Sequence, residues 1–350
     1  MSKIVHTELN IYKEPIDIIK CFKNTNNVYV IFNKNNSSIV NSKAKDLLTI
    51  YFKKYYKIFY MDFDEVIDFI NNNNNSNIKI IFNINNDFKD YFEINLMKYI
   101  KNNTIYCNIY FITEDFWPVS NLQSIFILDI FNAYNYKVLT YATVEQLNSF
   151  HNKNYNNYKN NIININLWAS YKLAFIEFNN NPINKILISG NIAEQHYPER
   201  YLMKSVNDTI IYQYNNNDND NKILNNNNYN KILNNYICCF TSSVYIFNKT
   251  ENKYKNTHCV LLKTFEILAS GSLLLMPISE EKYLEKFNII NGVNCLLIDF
   301  EKNLNDQVQL IINQKKDYID KIRYNGYLHS INNLNSYNKF LEFKKIIDDD

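Results

Sequence analysis

Residues 263–277 read KTFEILASGSLLLMP. The first eight have helical period and end on Ala269 and Ser270, followed by Gly271, and an unbroken apolar run follows. Three small residues let a helix lie close against the next strand, and a Gly just past the last turn supplies the left-handed residue that ends a helix. A strand apolar on both faces belongs to a parallel sheet covered by helices. Working outward, KILISG at 185–190 predicts a strand ending on a Gly, and YPERYLMKSV after it a helix with Pro in its first turn. TIIYQY (209–214) and ICCFTSS (237–243) are further strands. NGVNCLLID is a turn and strand, with helices from there to the acidic end. The stretch between ICCFTSS and His258 is read as a loop.

The first half repeats the alternation. Short β-rich runs at 28–32, 78–82, 107–113 and 136–142 alternate with segments of helical period such as AKDLLTIYFKKYY and NLQSIFILDIFNAY. LLTIYFKKYYKIFY (47–60) mixes Lys with aromatics and is read as a buried helix or strand edge with snorkelling Lys. The pattern breaks at NNNP, so a boundary is placed at 180/181. The expected architecture is α/β with two Rossmann-like domains, residues 1–180 and 181–350. NNNDNDNKILNNNN between the second and third strands of the later half reads as a surface insertion.

Composition sets limits on function. Of 350 residues, 65 are Asn, four are Gly and two of the 37 basic residues are Arg, the profile of an AT-rich coding bias such as that of a giant DNA virus or an AT-rich protist. With 46% hydrophobic residues the chain can fill two cores. Net charge is +2 with dispersed Lys, which argues against a duplex nucleic-acid partner. Neither a membrane-spanning run nor a signal-peptide core is read, so a cytoplasmic setting is expected. Six Cys lack zinc spacing and are read as buried thiols. No DxD triplet is read at a strand end.

Several residues stand out chemically. Glu266 lies between Phe265 and Ile267 on a helix packed among neighbours, where a carboxylate needs a hydrogen-bonding partner; a solvated helix position is the plain alternative, a ribose diol the functional one. Arg200 interrupts a chain that otherwise uses Lys, as a site needing a planar bidentate donor would. Lys204 follows one turn later on the same helix face. A surface pair with Glu199 or Glu194 is the alternative for Arg200, and Arg323 is read as structural. Asp115, in TEDFWPV (113–119), follows an apolar strand and is either a general base or a helix cap. His6 and His196 are weaker candidates for that base.

The segment at 263–277 resembles the Glu-bearing helix and strand of GT-B glycosyltransferases, of the group 1 or spore-maturation type. ISGNIAEQHYPER (188–200) is similar to that family's Ser-Gly and Tyr-Pro-x-Arg segment, and the closing strand and helices, with Arg323 and Gly326 in KIRYNGYLHSINN, are similar too. The resemblance covers roughly residues 183–335. It implies two domains facing a cleft, with C-terminal helices returning toward the N-terminal domain. It also implies transfer of a sugar from a nucleotide-sugar, UDP- or GDP-linked, to a glycan, protein or lipid hydroxyl, with no cofactor or metal. By the same resemblance Glu266 holds the ribose, and Arg200 with Lys204 the diphosphate. Lys263, Thr241, Ser242, Ser243 and the strand-ending Gly190 complete the nucleotide site. His258 stands eight residues before Glu266, where many retaining members carry a second Glu, and is the other catalytic candidate beside Asp115. A nucleotide-sugar epimerase and a degenerate sugar-binding or scaffold protein are the competing expectations.

Overall fold

The computed structural model describes residues 27–33, 55–84, 91–113, 136–140, 143–151, 156, 160–164, 176–212, 226–248 and 251–349. Two parallel sheets organise them. The first contains β1(Val28–Asn33), β2(Lys57–Met61), β3(Lys79–Ile84), β4(Asn108–Thr113), β5(Lys137–Thr140) and β6(Ile162–Asn164), in the order β2-β1-β3-β4-β5-β6. Its strands are apolar on both faces. Ile31, Ile80, Phe82 and Phe111 pack on helices α1(Phe63–Asn72) and α2(Tyr91–Asn102), through Val66, Ile70, Leu96 and Met97. The alternate residues Val30, Ile81, Tyr110 and Leu139 face the other way. A third helix, α3(Val144–His151), follows β5.

The second sheet contains β7(Ile183–Ser189), β8(Thr209–Tyr212), β9(Tyr236–Phe240), β12(Leu273–Pro277) and β13(Leu296–Ile298), in the order β13-β12-β9-β7-β8. Helices α4(Pro198–Met203), α5(Asn226–Asn234), α6(Leu262–Ser270), α7(Glu281–Leu284), α8(Leu304–Ile312) and α9(Lys316–Asn333) connect or cover it. β12 is buried throughout, as its unbroken apolar sequence requires. Pro198 stands at the start of α4, and Gly271 ends α6 with φ 75°.

The last helix, α10(Ser336–Asp348), leaves the second sheet and covers the open face of the first. Phe340 stacks on Tyr55 at 4.8 Å, and Phe343 and Ile347 join Val30, Ile81 and Leu139 in one core. Lys79 of β3 donates to the Ile347 carbonyl near the end of that helix. The return of the C-terminal helices expected from the sequence is thus an apolar contact.

The 47–60 stretch ends in an edge strand, β2, whose Lys57 ammonium lies over the Tyr29 ring, the strand-edge form of the two expected. Two elements differ from the sequence expectation. The three-residue β6 was hidden in an Asn-rich run. The expected loop before His258 contains an antiparallel hairpin, β10(Tyr245–Asn248) and β11(Lys253–Asn256), its strands too short and polar to show. The 215–228 insertion lies outside the described residues up to 225, and α5 starts at Asn226.

Arg323, wholly buried, ties helix α9 to the end of α6 and to the segment just before β7. It donates to the carbonyls of Gly271 (3.1 Å) and Asn179 (3.0 Å) and pairs with Asp320 at 2.6 Å. One turn on, a Cβ at Gly326 would stand 2.8 Å from the Asn294 carbonyl oxygen and 2.9 Å from Leu268 Cδ2. Helix α9 can approach only because that Cβ is missing. Gly326→Ala is expected to destabilise the fold by about 1–3 kcal/mol, measured by chemical denaturation; an unchanged midpoint would show that the contact yields without cost.

Candidate active site

In the second sheet β7 lies between β8 and β9, so successive connections leave it in opposite directions. Such a reversal opens a crevice at the carboxyl ends of the two strands that flank it. Here those ends are Ser189-Gly190 after β7 and Thr241-Ser242 after β9, and Arg200 reaches into that place.

Arg200 projects from α4 and is 2% exposed. Its Nη2 donates to Thr241 Oγ1 (3.0 Å) and to the Ser242 carbonyl (2.9 Å), and its Nη1 to the Asn191 carbonyl (3.3 Å). The guanidinium also lies over the Tyr197 ring at 4.2 Å. All three hydrogen bonds end on neutral oxygens, and Nε has no partner. Burial pulls the pKa of this group below its usual value. Glu199, the neighbour that might have neutralised it, accepts instead from the Tyr245 hydroxyl at 2.5 Å.

A second cation meets the first. Lys263, in the first turn of α6, donates to the Tyr229 hydroxyl at 2.7 Å and to Ser189 Oγ at 3.3 Å. Ser189 Oγ and Tyr229 are themselves 2.8 Å apart. At Gly190, with φ +97°, an added Cβ would stand 3.0 Å from Lys263 Nζ and 3.5 Å from Arg200 Nη1. Two positive side chains therefore converge on space that a glycine keeps open. A concave place with two convergent cations, at a strand end and beside the first turn of a helix, suits a phosphorylated ligand.

The same helix presents Glu266 one turn after Lys263. Thr264, Phe265, Ile267 and Leu268 are buried, whereas Lys263 and Glu266 are only partly so, which puts both on the open stripe of α6. The charge of Glu266 adds to burial in raising the pKa of Tyr229, so carboxylate and phenol share one electrostatic environment.

The structure thus brings together Arg200, Lys263, Gly190, Thr241 and Ser242. Ser242 enters through its carbonyl; its hydroxyl points to the Ser243 carbonyl at 3.4 Å. Ser243 donates to the Cys259 carbonyl. Lys204 does not join. It is exposed, with its ammonium over the Tyr201 ring at 3.7 Å, so the basic pair at the strand end is Arg200 with Lys263. His196 is exposed and docks on the hairpin through the Tyr245 carbonyl. Asp115 and His6 lie outside the described residues.

His258 lies between β11 and α6 with φ 51°. Its ring stacks on Tyr283, centroids 4.7 Å apart, and its Nδ1 is 3.3 Å from Glu280 Oε1. Its carbonyl accepts from Gln146 Nε2 of α3 at 2.7 Å, so this segment is held to the first domain. Ser189, Tyr229, Glu280 and Gln146 were not singled out from sequence. Tyr229 sits in an Asn-rich run, and Glu280 was visible only as an acid three residues past the end of β12.

A DxD triplet does stand at a strand end, contrary to the sequence reading: Asp62-Phe63-Asp64 directly follows β2. Asp62 caps α1, accepting from Glu65 N while the Glu65 side chain accepts from Asp62 N. Its carboxylate is engaged as a helix cap. Among the described residues no group of three or more His, Cys, Asp or Glu could hold a metal ion, and no helix is long and apolar enough to cross a membrane. The five described cysteines are all buried.

No family model matches the chain, and no curated protein does. Solved structures do. An α-glucosyltransferase in complex with UDP superposes with a TM-score of 0.56 at 9% identity, over 92% of this chain and 99% of that one. Anabaena HepE in complex with UDP-glucose gives 0.53 at 7% identity, over 92% and 99%. TarM gives 0.45 at 13% identity, and there the chain spans 55% of the relative's length. The first two likenesses, with the two parallel α/β sheets, show a GT-B fold of two Rossmann-like domains.

Glu199 supplies a test of the buried charges near Arg200. Burial raises its pKa above the ordinary 4.5, partly offset by the Tyr245 hydrogen bond. A raised folded-state value favours the protonated form, so the stability it contributes is complete below about 4.5 and is lost as pH rises through the folded value. Glu199→Gln keeps an acceptor for Tyr245 and removes the charge. Its Tm is expected to exceed that of the wild type at pH 8, with the gain shrinking toward pH 4; a lower Tm at pH 8 would mean the ionised carboxylate is stabilising.

Proposed function

We propose that the chain is a glycosyltransferase moving a sugar from a nucleoside-diphosphate sugar, UDP-linked, to an acceptor hydroxyl. The observation that carries this reading is the convergence of Arg200 and Lys263 at Gly190, on the crevice between β7 and β9. Breaking the bond between the anomeric carbon and the diphosphate leaves negative charge on phosphate oxygen. Fixed cations in a partly dewatered site stabilise that charge without reorganising. UDP or UDP-glucose in the neighbouring α-glucosyltransferase and HepE structures supports the choice of donor.

In this reading residues 181–350 hold the donor and residues 1–180 the acceptor. Glu266 accepts from the ribose hydroxyls, Tyr229 and Ser189 orient Lys263, and His258 faces the sugar. Asp115 is the proposed base on the acceptor hydroxyl. The transfer needs no metal, the sugar is a hexose, and the affiliation is with group 1, spore-maturation-type transferases. A giant-virus source agrees with the coding bias. One neighbouring α-glucosyltransferase was solved with DNA. The dispersed Lys and net charge of +2 favour a glycan, protein or lipid acceptor here.

Titration calorimetry with UDP, GDP and inorganic pyrophosphate tests the donor site. Arg200→Ala and Lys263→Ala should each weaken UDP binding by about 1–3 kcal/mol and weaken pyrophosphate in parallel. Glu266→Ala should weaken UDP by a similar amount and leave pyrophosphate unchanged. Folded wild-type protein that binds no nucleoside diphosphate would overturn the enzyme reading in favour of a scaffold. Epimerised nucleotide-sugar formed without acceptor would favour an epimerase.

A further inference from the structure

His258 is over-determined. A non-glycine residue with φ near +50° carries strain that persists only where surrounding contacts hold it. Asn256 provides two at once: its Oδ1 accepts from the His258 backbone N at 2.8 Å, and its Nδ2 donates to Glu280 Oε1 at 2.7 Å. That same Oε1 stands 3.3 Å from His258 Nδ1, an ion-pair separation, and Nδ1 has no hydrogen-bond partner. Tyr283 covers one face of the ring, and Gln146 fixes the carbonyl.

Glu280 itself is 0% exposed, and its Oε2 makes no hydrogen bond. A half-satisfied buried carboxylate is costly and adds nothing to stability that an apolar residue would not. Its position explains the expense. The His258 side chain is 32% exposed although its Nδ1 is buried, so the edge of the ring that bears Nε2 is the one turned to open space.

We propose that Glu280 is a positioning residue. Its carboxylate keeps the proton of the neutral ring on His258 Nδ1, so that Nε2 is presented as the acceptor for a sugar hydroxyl. A carboxylate or carbonyl at one ring nitrogen commonly fixes the tautomer and frees the other nitrogen in this way. The tautomer half rests on the 3.3 Å approach of the Glu280 Oε1 charge to Nδ1, a contact short of a hydrogen bond; the sugar half rests on the glycosyltransferase reading.

The test is nitrogen-15 NMR of the imidazole rings at pH 8. The chain has five His, and the His258 signals are those lost in His258→Gln. The wild type should show the Nδ1–H tautomer. Glu280→Leu should lose it to a mixture, and Glu280→Gln, which keeps an acceptor oxygen, should restore it. A wild-type ring in the Nε2–H form overturns the proposal, and this measurement stands even where Glu280→Leu does not fold. For the sugar half, kcat should fall about 10- to 100-fold in Glu280→Leu with little change in UDP affinity, and Glu280→Gln should recover part of the loss. Equal falls in donor hydrolysis and transfer place the hydroxyl on the donor sugar; a fall in transfer alone places it on the acceptor. Unchanged rates in a folded Glu280→Leu that binds UDP overturn the sugar half. A wild type that binds no UDP instead fails the glycosyltransferase reading and leaves the tautomer result intact.

Discussion

A guanidinium that is 2% exposed and hydrogen-bonded only to neutral oxygens is the constraint around which the second domain is arranged. Removing a charge from water costs several kcal/mol unless dipoles or a counter-charge replace the lost hydration. For Arg200 the replacement is partial. The Thr241 hydroxyl, two carbonyls and the Tyr197 ring face it, Nε is left over, and the nearest acid in sequence accepts from Tyr245 and acts on it only through longer-range charge. In the proposed function a diphosphate beside Gly190 would add the counter-charge.

The fold explains why this happens at that point. The order β13-β12-β9-β7-β8 puts the chain reversal between β7 and β9. The loops after those strands diverge there and leave a crevice. Gly190 keeps it open, and α6 brings Lys263 to it. The close seat of α6 depends in turn on Gly271, which ends it, and on Gly326, whose missing Cβ leaves room for Leu268 near that same end. The two domains meet around that helix. Gln146 holds the His258 segment that leads into it, and α10 crosses back to complete the first core with Phe340 and Phe343. The cleft is therefore bounded by contacts that fix His258 relative to the first domain, while the cations sit wholly in the second.

Much of the fold was legible because parallel strands buried on both faces leave continuous apolar runs; VYVIF, IKIIF, ICCF and LLLMP each became a strand. What failed was short: β6 is three residues in an Asn-rich run, and the hairpin at 245–256 carries YIFN and KYKN, which have no apolar face of useful length. At the site, Arg200 stood out by its rarity, and Lys263 entered only through the resemblance, as a lesser donor. Lys204 lies exposed over Tyr201, because helix spacing reports which residues share a face but not which face is buried. Tyr229, Ser189, Gln146 and Glu280 lay beyond reach for another reason. Each acts through a contact more than 20 residues away, and nothing local marks such a partner.

The central claim is that the two cations at Gly190 form the seat of a diphosphate. A crystal structure of the chain in complex with UDP addresses it most directly. The account predicts both phosphates at the carboxyl ends of β7 and β9, their oxygens within hydrogen-bonding distance of the Arg200 guanidinium and the Lys263 ammonium, with the ribose toward Glu266. UDP bound against the first sheet, or in the second domain with its phosphates out of reach of both side chains, would contradict it.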